Sequence, residues 1–463
     1  MIGLLALVVI FFKNAFSIHF FQDDYWFLSI SRIHSLTDFL GFFSPIRSYS
    51  YKPLATETFY LLIHWFNYNV FWPHLIMFGA FFAGLIFVYK NLMILTGKKW
   101  LSFLTVGLFA LHFTHVFQLY WFATFQEIAL FMFLALSFYG LLKQKQVLFW
   151  LAFLAALLCK ETAALYPVFL IFLKLAYLKN KLSWQKICLG LVLSAGFYLV
   201  YKYSLDQVTA LDNYKMEFNP KLIANNIVWY GLWGLGLPNI MPLFMPKIFG
   251  TPLPNFWKLF NDHTFKIYFV SLLAYLGALF LTITTLLLTK KIRLIKFIRF
   301  TGFCLAGYFI FLGPILFFPH RWMIRLTLPL LFLSLWQARI IYQSRWLVAL
   351  CLLILYLVFN RYGILFHESS SLIASENQIF LAAQEYFNTH RQEIAAYPNL
   401  FIADNNLRKT LLQMSSRRLK NSFHDQNFVE FFLPGLKVKV NYDFETDAVP
   451  DNAYVIYSDE FIK

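Results

Sequence analysis

Charge is scarce in this chain and unevenly signed: 13% of its 463 residues are Asp, Glu, Lys or Arg, with 23 acidic against 39 basic. Beside 60% apolar residues and 57 phenylalanines, that scarcity exceeds what any soluble core requires and indicates a polytopic membrane protein. Cysteine is also rare. Cys159, Cys188, Cys304 and Cys351 all lie in apolar stretches without CxxC or paired spacing, which argues against a disulfide framework and a thiolate metal site. No Lys/Arg run is longer than a few residues and no basic soluble face is evident, so the net charge of +16 does not describe a nucleic-acid binder. Internal repeats and low-complexity tracts are absent as well.

What is present is a series of long apolar runs, near residues 2 to 21, 73 to 95, 101 to 118, 124 to 142, 147 to 160, 162 to 178, 187 to 203, 265 to 289, 300 to 318, 323 to 342 and 346 to 363. These predict about eleven transmembrane helices. Five connections, "KNLMILTGKK", "LLKQKQ", "LKLAYLKNKLSWQK", "TKKIRLIKFIR" and "QARIIYQSR", carry Lys and Arg and no acidic residue, which marks them as cytoplasmic. Asp23, Asp24, Asp38, Glu57, Glu127, Glu161, Asp206, Asp212, Glu217 and Asp262 then fall on the opposite, outer side or at its membrane edge. Span 1 contains Lys13, and "IGLLALVVIFF" can be read as a signal-peptide core. No small-residue cleavage site follows it, so an uncleaved helix is expected.

Two further segments are expected to lie along the outer interface. One is residues 222 to 244, apolar but broken by Gly and Pro. The other is residues 54 to 68, where Leu54, Phe59, Leu62, Ile63 and Phe66 share one helical face and Thr56, Glu57, Tyr60, His64 and Asn67 the other. Beyond residue 363 the composition changes. Helix-like pieces ("ENQIFLAAQEYFNTHRQEI", "LRKTLLQM") alternate with strand-like ones ("NLFIAD", "LKVKVNY", "AYVIYS"), which divides the chain into a membrane domain, 1–363, and a small extracytoplasmic α/β domain, 364–463.

The ionisable residues that neither loop solvation nor inner-leaflet anchoring explains are few: Asp23, Asp24, Lys52, Glu57, His112, His115, Glu127, Lys160, Glu161, His320, Arg321 and Arg325. All map to the outer ends of spans or to outer loops. Adjacent carboxylates can take a proton from an acceptor hydroxyl, their mutual repulsion raising one of the two, or can hold a divalent cation. Lys160, Arg321 and Arg325 suit a phosphate. Tyr25, Trp26, Trp72, Tyr120 and Trp121 can stack on sugar faces or anchor helices at the interface. Plainer readings compete: loop solvation for the Asp pair, a structural Lys160–Glu161 ion pair sealing a helix break, lipid-headgroup contacts for Arg321 and Arg325. The HxxH of His112 and His115 has no carboxylate in register and reads as packing.

The order of these segments ("DDYWF", "YKPL", "NYNVFWPHLIMF", "LHFTHVFQLYWF" with "QE", "CKETAALYP", "HRWMIRLTLPLLFL") resembles the GT-C glycosyltransferases, most of all the branch of the protein O-mannosyltransferases and TMTC-type transferases, over about residues 15 to 345. Lys52 stands where that branch usually has arginine, and "MIRLTLP" lacks its tyrosine. The resemblance implies a GT-C-like membrane domain and a glycosyltransferase of the plasma membrane, using a polyprenyl-phosphate sugar as donor and an extracytoplasmic acceptor. It implies Asp23 as catalytic base with Asp24 assisting. It also implies that Lys52, Lys160 and Glu161 line the donor site and that Arg321 meets the donor phosphate. His320 and Arg325 join the donor side from their position, and Tyr25, Glu57, His115, Trp121 and Glu127 are expected to line the substrate. Participation of Mg or Mn on Asp23 and Asp24 is left open. The alternative is a transporter or flippase, against which stand the crowding of charge at the outer edge and the lack of repeated halves; a non-catalytic scaffold leaves the carboxylate pair unexplained.

Overall fold

The computed structural model describes residues 1–46, 49–176, 182–206, 216–245, 251–370, 372–404, 415–446 and 448–462. Asp212 and the helix-like piece at 407–414 lie outside the described residues, as does the side chain of Asp206. Among those described, seven helical segments are long and apolar enough to cross a membrane: Phe71–Thr96, Phe122–Leu142, Trp184–Tyr203, His263–Leu288, Leu294–Phe317, Met323–Gln343 and the segment that begins at Trp346. Val192, Leu199, Phe280, Leu281, Ile295 and Ile298 stand exposed on them. In water such apolar surface is disfavoured by about 25 cal/mol per Å² relative to burial; against lipid tails that term vanishes.

In chain order the helices are α1 (Ile2–Phe12), α2 (Asp23–Ile30), α3 (Leu36–Gly41), α4 (Glu57–Trp65), α5 (Phe71–Thr96), α6 (Lys99–Ala110), α7 (His115–Tyr120), α8 (Phe125–Leu142), α9 (Gln146–Leu157), α10 (Tyr166–Ala176), α11 (Trp184–Asp206), α12 (Pro220–Leu235), α13 (Met241–Phe244), α14 (His263–Leu288), α15 (Leu294–Leu312), α16 (Thr327–Gln343), α17 (Trp346–Ser370), α18 (Leu372–Ile394), α19 (Ser415–Ser422) and α20 (Asn427–Phe432). The segments expected at 2 to 21, 101 to 118, 147 to 160 and 162 to 178 are realised as α1, α6, α9 and α10, each of 11 or 12 residues. A regular span needs roughly 20. The break after α6 carries His112, and the break between α9 and α10 carries Lys160 and Glu161.

The helices pack in neighbouring pairs, α5 on α8, α8 on α9, α6 on α16, α15 on α16 and α14 on α17. Small residues set the closest approaches, as membrane helices require. A Cβ on Gly140 of α8 would stand 2.7 Å from the backbone nitrogen of Phe149 in α9, so only glycine lets these two backbones meet. The 222–244 segment breaks where its sequence is weakest for helix. Asn219 caps α12 and Pro220 opens it, while Gly236 ends it at φ 118°, a conformation costly for any side chain.

The C-terminal part contains three parallel strands, β1 (Asn399–Ala403), β2 (Lys439–Tyr442) and β3 (Ala453–Tyr457), in the order β2-β1-β3. Leu400, Phe401, Ile402 and Ala403 of the central strand are all buried, as expected where both sheet faces are covered. α17 runs past residue 363 to Ser370. The part beyond it is packed into the core: Phe423, Phe431 and Phe432 meet Tyr25 of α2, and Phe380 and Phe431 meet Phe20.

Candidate active site at the first loop

After α1 the chain makes a 3-10 turn over Lys13–Ser17 and reaches Gln22 at φ 53° before α2 opens on Asp23. A left-handed non-glycine residue costs about 1–3 kcal/mol and persists only where its surroundings hold it. Here the C-terminal part does so: Gln22 N–H donates to the Ser422 carbonyl at 2.8 Å, and the Gln22 side chain bonds Glu376, a buried carboxylate of α18.

The two carboxylates that α2 presents have different surroundings. Asp24 is fully buried, with three donors converging on it. Phe21 N–H reaches Oδ2 at 3.0 Å, Ala123 N–H reaches Oδ1 at 2.9 Å, and the Tyr60 hydroxyl donates to Oδ1. Asp24 thus ties the first loop, α4 and the turn after α7 together. Burial pushes its carboxyl up to about 8, against the lowering effect of those hydrogen bonds. Asp23 is half-exposed and forms part of a cavity wall, with Oδ1 3.7 Å from Nε2 of His424. Desolvation in the recess raises it, while His424 and Lys52 pull it back down; water in the cavity further discounts the rise.

The remaining charges form a row of alternating sign. Lys52, whose field acts on Asp23, lies 3.4 Å from Glu161 Oε2; Lys160 stands beside Glu161 in turn, and its Nζ bonds Glu127 Oε1 at 2.5 Å. The structural Lys160–Glu161 pair, the plainer reading of their adjacency, is not formed. Lys160 is extended, at φ −163° and ψ 143°, and neighbouring side chains of an extended chain point to opposite faces, so each finds a different partner. Burial alone raises the Glu161 carboxyl, but Lys52 and Lys160, with Arg325 adding, hold it at about 2.

Opposite Asp23, the segment between α15 and α16 brings in His320 and Arg321. A cavity of about 600 Å³ is lined by Gln22, Asp23, His320, Arg321 and Trp322 together with Asn239, and its remaining wall is α18 and α19 with the turn at His424. Arg321 Nη1 is buried without a hydrogen-bond partner, and Arg325 Nη1 donates to the His320 carbonyl at 3.2 Å. Burial, with Arg325 nearby, lowers His320.

A second, mostly apolar cavity of about 840 Å³ lies between α5, α6, α8, α10, α15 and α16. One end is at Tyr166 and Leu328, the former directly following the Glu161–Leu165 turn and the latter close in sequence to Arg325; the other is at Lys98 and Arg339. Lys52, Glu127, Lys160 and Glu161 line neither cavity.

Several expected lining residues are placed elsewhere. Tyr25, Glu57, His115, Trp121 and Glu127 are buried and do not reach the cavity wall, because each is consumed by packing or by an internal partner. The Tyr25 hydroxyl bonds the Phe20 carbonyl, Thr56 Oγ1 donates to Glu57, and His115 Nε2 bonds the Phe109 carbonyl at 2.8 Å. Trp121 stacks on Phe21 and leans on Trp322, supporting the wall from behind. The carboxylate pair does not fit a chelated divalent cation, since both Asp24 oxygens are taken by donors, and among the described residues no group of three His, Cys, Asp or Glu is placed to hold a metal. His424, Lys420, Asn421, Asn239 and Trp322 were not foreseen. They lie in loops and in the C-terminal part, where no periodicity distinguishes a site residue from a surface one.

Comparison with known protein families, with characterised proteins and with solved structures finds no match to this chain.

Proposed function

We propose that this protein is a membrane glycosyltransferase of the GT-C kind, transferring a sugar from a polyprenyl-phosphate donor to an acceptor on the outer face of the plasma membrane. The observation that carries this reading is the placement of Asp23: the one carboxylate of the pair that lines an open polar cavity, facing Arg321 and His320. The second, mostly apolar cavity supports a lipid-linked donor, because a prenyl chain needs an apolar channel.

In the transfer, the acceptor oxygen attacks the anomeric carbon as the bond from that carbon to the phosphate oxygen breaks. Asp23 takes the acceptor's proton, and the polyprenyl phosphate leaves with the bonding electron pair. Arg321 and Lys52 stabilise the charge that grows on it, and Asp24 holds α2 in place beneath Asp23. Inversion at the sugar is what the resemblance implies. Placement of the charged row on the outer side follows from the positive-inside pattern, and a total of about eleven crossings from the eleven apolar runs.

The test is transfer of radiolabelled sugar from polyprenyl-phosphate donors by purified protein in nanodiscs, comparing wild type with Asp23→Asn. Turnover abolished in a folded Asp23→Asn protein is the expected result. Equal turnover in both would remove the base assignment, and no wild-type turnover across a broad donor panel would favour transport.

A further inference from the structure

The turn at His424 is built with unusual care for a loop so far from the carboxylate pair in sequence. His424 and Asp425 are consecutive non-glycine residues at φ 49° and 62°, both left-handed. Two such residues together store strain that the surroundings have to hold. Asp425 N–H bonds the Lys420 carbonyl at 2.8 Å, the Tyr442 hydroxyl donates to the Asp425 carbonyl at 2.7 Å, and the Ser422 carbonyl is bonded by Gln22 of the first loop. The imidazole lies flat on Trp26 of α2, with centroids 5.7 Å apart and planes 6° from parallel.

The hydrogen bonds around the ring define its tautomer. Asn427 Nδ2 is 2.8 Å from the His424 carbonyl, which can only accept, so that atom of the amide is the nitrogen. The same nitrogen is 3.0 Å from His424 Nδ1. Nδ1 therefore accepts, and the neutral ring carries its hydrogen on Nε2, the atom turned toward Asp23 Oδ1 at 3.7 Å. A movement of about an ångström makes this a direct hydrogen bond.

We propose that His424 is the positioning residue for Asp23: its Nε2–H holds the carboxylate ionised and aimed into the cavity, so that the C-terminal part completes the centre. The role as base rests on the transferase reading; the pairing of the two side chains does not. Other charged groups around Asp23 are Asp24 on its own helix, Lys52 from the stretch before α4, Arg321 and His320 across the cavity, and Lys420 and Asp425 beside His424. Of these, Asp24, pushed up to about 8, and His320 overlap in a rate profile, so the Asp23 carboxylate itself has to be observed.

The experiment is infrared titration of ¹³C-aspartate-labelled protein in nanodiscs, with the Asp23 band identified by its loss in Asp23→Asn, alongside the pH profile of sugar transfer. In His424→Ala the Asp23 titration midpoint moves up by roughly half to one pH unit, and the acid limb of the transfer profile moves with it. His424→Gln, whose amide can still donate, restores most of the shift and serves if the alanine variant fails to fold. Unmoved Asp23 titration in both variants overturns the proposal, as does loss of transfer without any change in profile, which would mean a merely structural role. A shifted infrared midpoint in a protein without transfer upholds the pair and rejects the transferase reading instead.

Discussion

Asp24 and Asp23 are chemically identical neighbours, and the structure assigns them opposite consequences on mutation. Replacing Asp24 with Ala strands three buried donors, Phe21 N–H, Ala123 N–H and the Tyr60 hydroxyl. At about 1–3 kcal/mol for each unsatisfied buried group, the loss is of the order of several kcal/mol. Asp24→Asn keeps one accepting oxygen but turns an NH₂ against a donor, leaving one group unsatisfied and costing about 1–3 kcal/mol. Asp23→Ala, half-exposed and bonded to none of these groups, stays within about 0.5 kcal/mol.

The sign of the pH dependence provides a second check. The folded value of Asp24, about 8, lies above the ordinary 3.8, so the stability contributed by its protonated form is complete below 3.8 and is lost as pH rises to about 8. Asparagine cannot ionise. The gap in thermal midpoint between wild type and Asp24→Asn, measured in detergent, should therefore narrow from about pH 5 to about pH 8 and then hold steady. Equal midpoints for wild type and Asp24→Ala would refute the tether. A gap that widens with pH would refute the assignment of burial as the dominant influence on this carboxylate.

Three further outcomes follow from the packing. Lys160→Met leaves Glu127 buried without its partner and should destabilise by about 3–5 kcal/mol, with most of that recovered in the Lys160→Met, Glu127→Leu double variant; thermal midpoints of the three proteins check it. Gly140→Ala, whose new methyl meets the Phe149 backbone at 2.7 Å, should cost about 1–3 kcal/mol, whereas Gly302→Ala, with nothing within 4 Å, should be near neutral in the same melt. A membrane-impermeant maleimide applied to sealed, outside-out vesicles should label Leu36→Cys, and should label Lys145→Cys only after permeabilisation; the reverse pattern would invert the topology.

How far the chain could be read in advance depended on whether the signal was local. α5 and α14 were legible because 26-residue apolar runs have few alternatives, and the strands because "NLFIA", "KVNY" and "AYVIY" are β-prone pieces bounded by turns. The polar face read on the 54–68 segment also has its use: Tyr60 bonds Asp24, and His64 Nε2 lies 2.9 Å from the Leu28 carbonyl. Which member of the carboxylate pair meets the cavity was not legible. Adjacent residues on a helix diverge by about 100°, but which side faces the core is decided by Ala123 and Tyr60, distant in sequence. The partner of Lys160 was hidden for the same reason, since contiguity suggested Glu161 and tertiary structure supplied Glu127. His424 had no local signal at all, because its significance comes from a turn geometry and from a contact across nearly the whole chain.

The alternating row of charges bears on why Asp23, and not Glu161 or Asp24, is the base in the proposed transfer. A carboxylate locked in a close ion pair is held far below the working range, as Glu161 is by Lys52 and Lys160, and has little affinity for a proton. One buried without a cation is driven up toward its protonated form, which already holds the proton a base would take, the direction in which Asp24 is pushed. Asp23 lies between these extremes. Lys52 is engaged with Glu161 at 3.4 Å and acts on Asp23 only as a neighbouring field, while His424 approaches to 3.7 Å without closing a bond. Two partial partners therefore oppose a partial desolvation, which leaves Asp23 at the cavity wall without a closed ion pair, as the proposed base requires, while Glu161 engages Lys52.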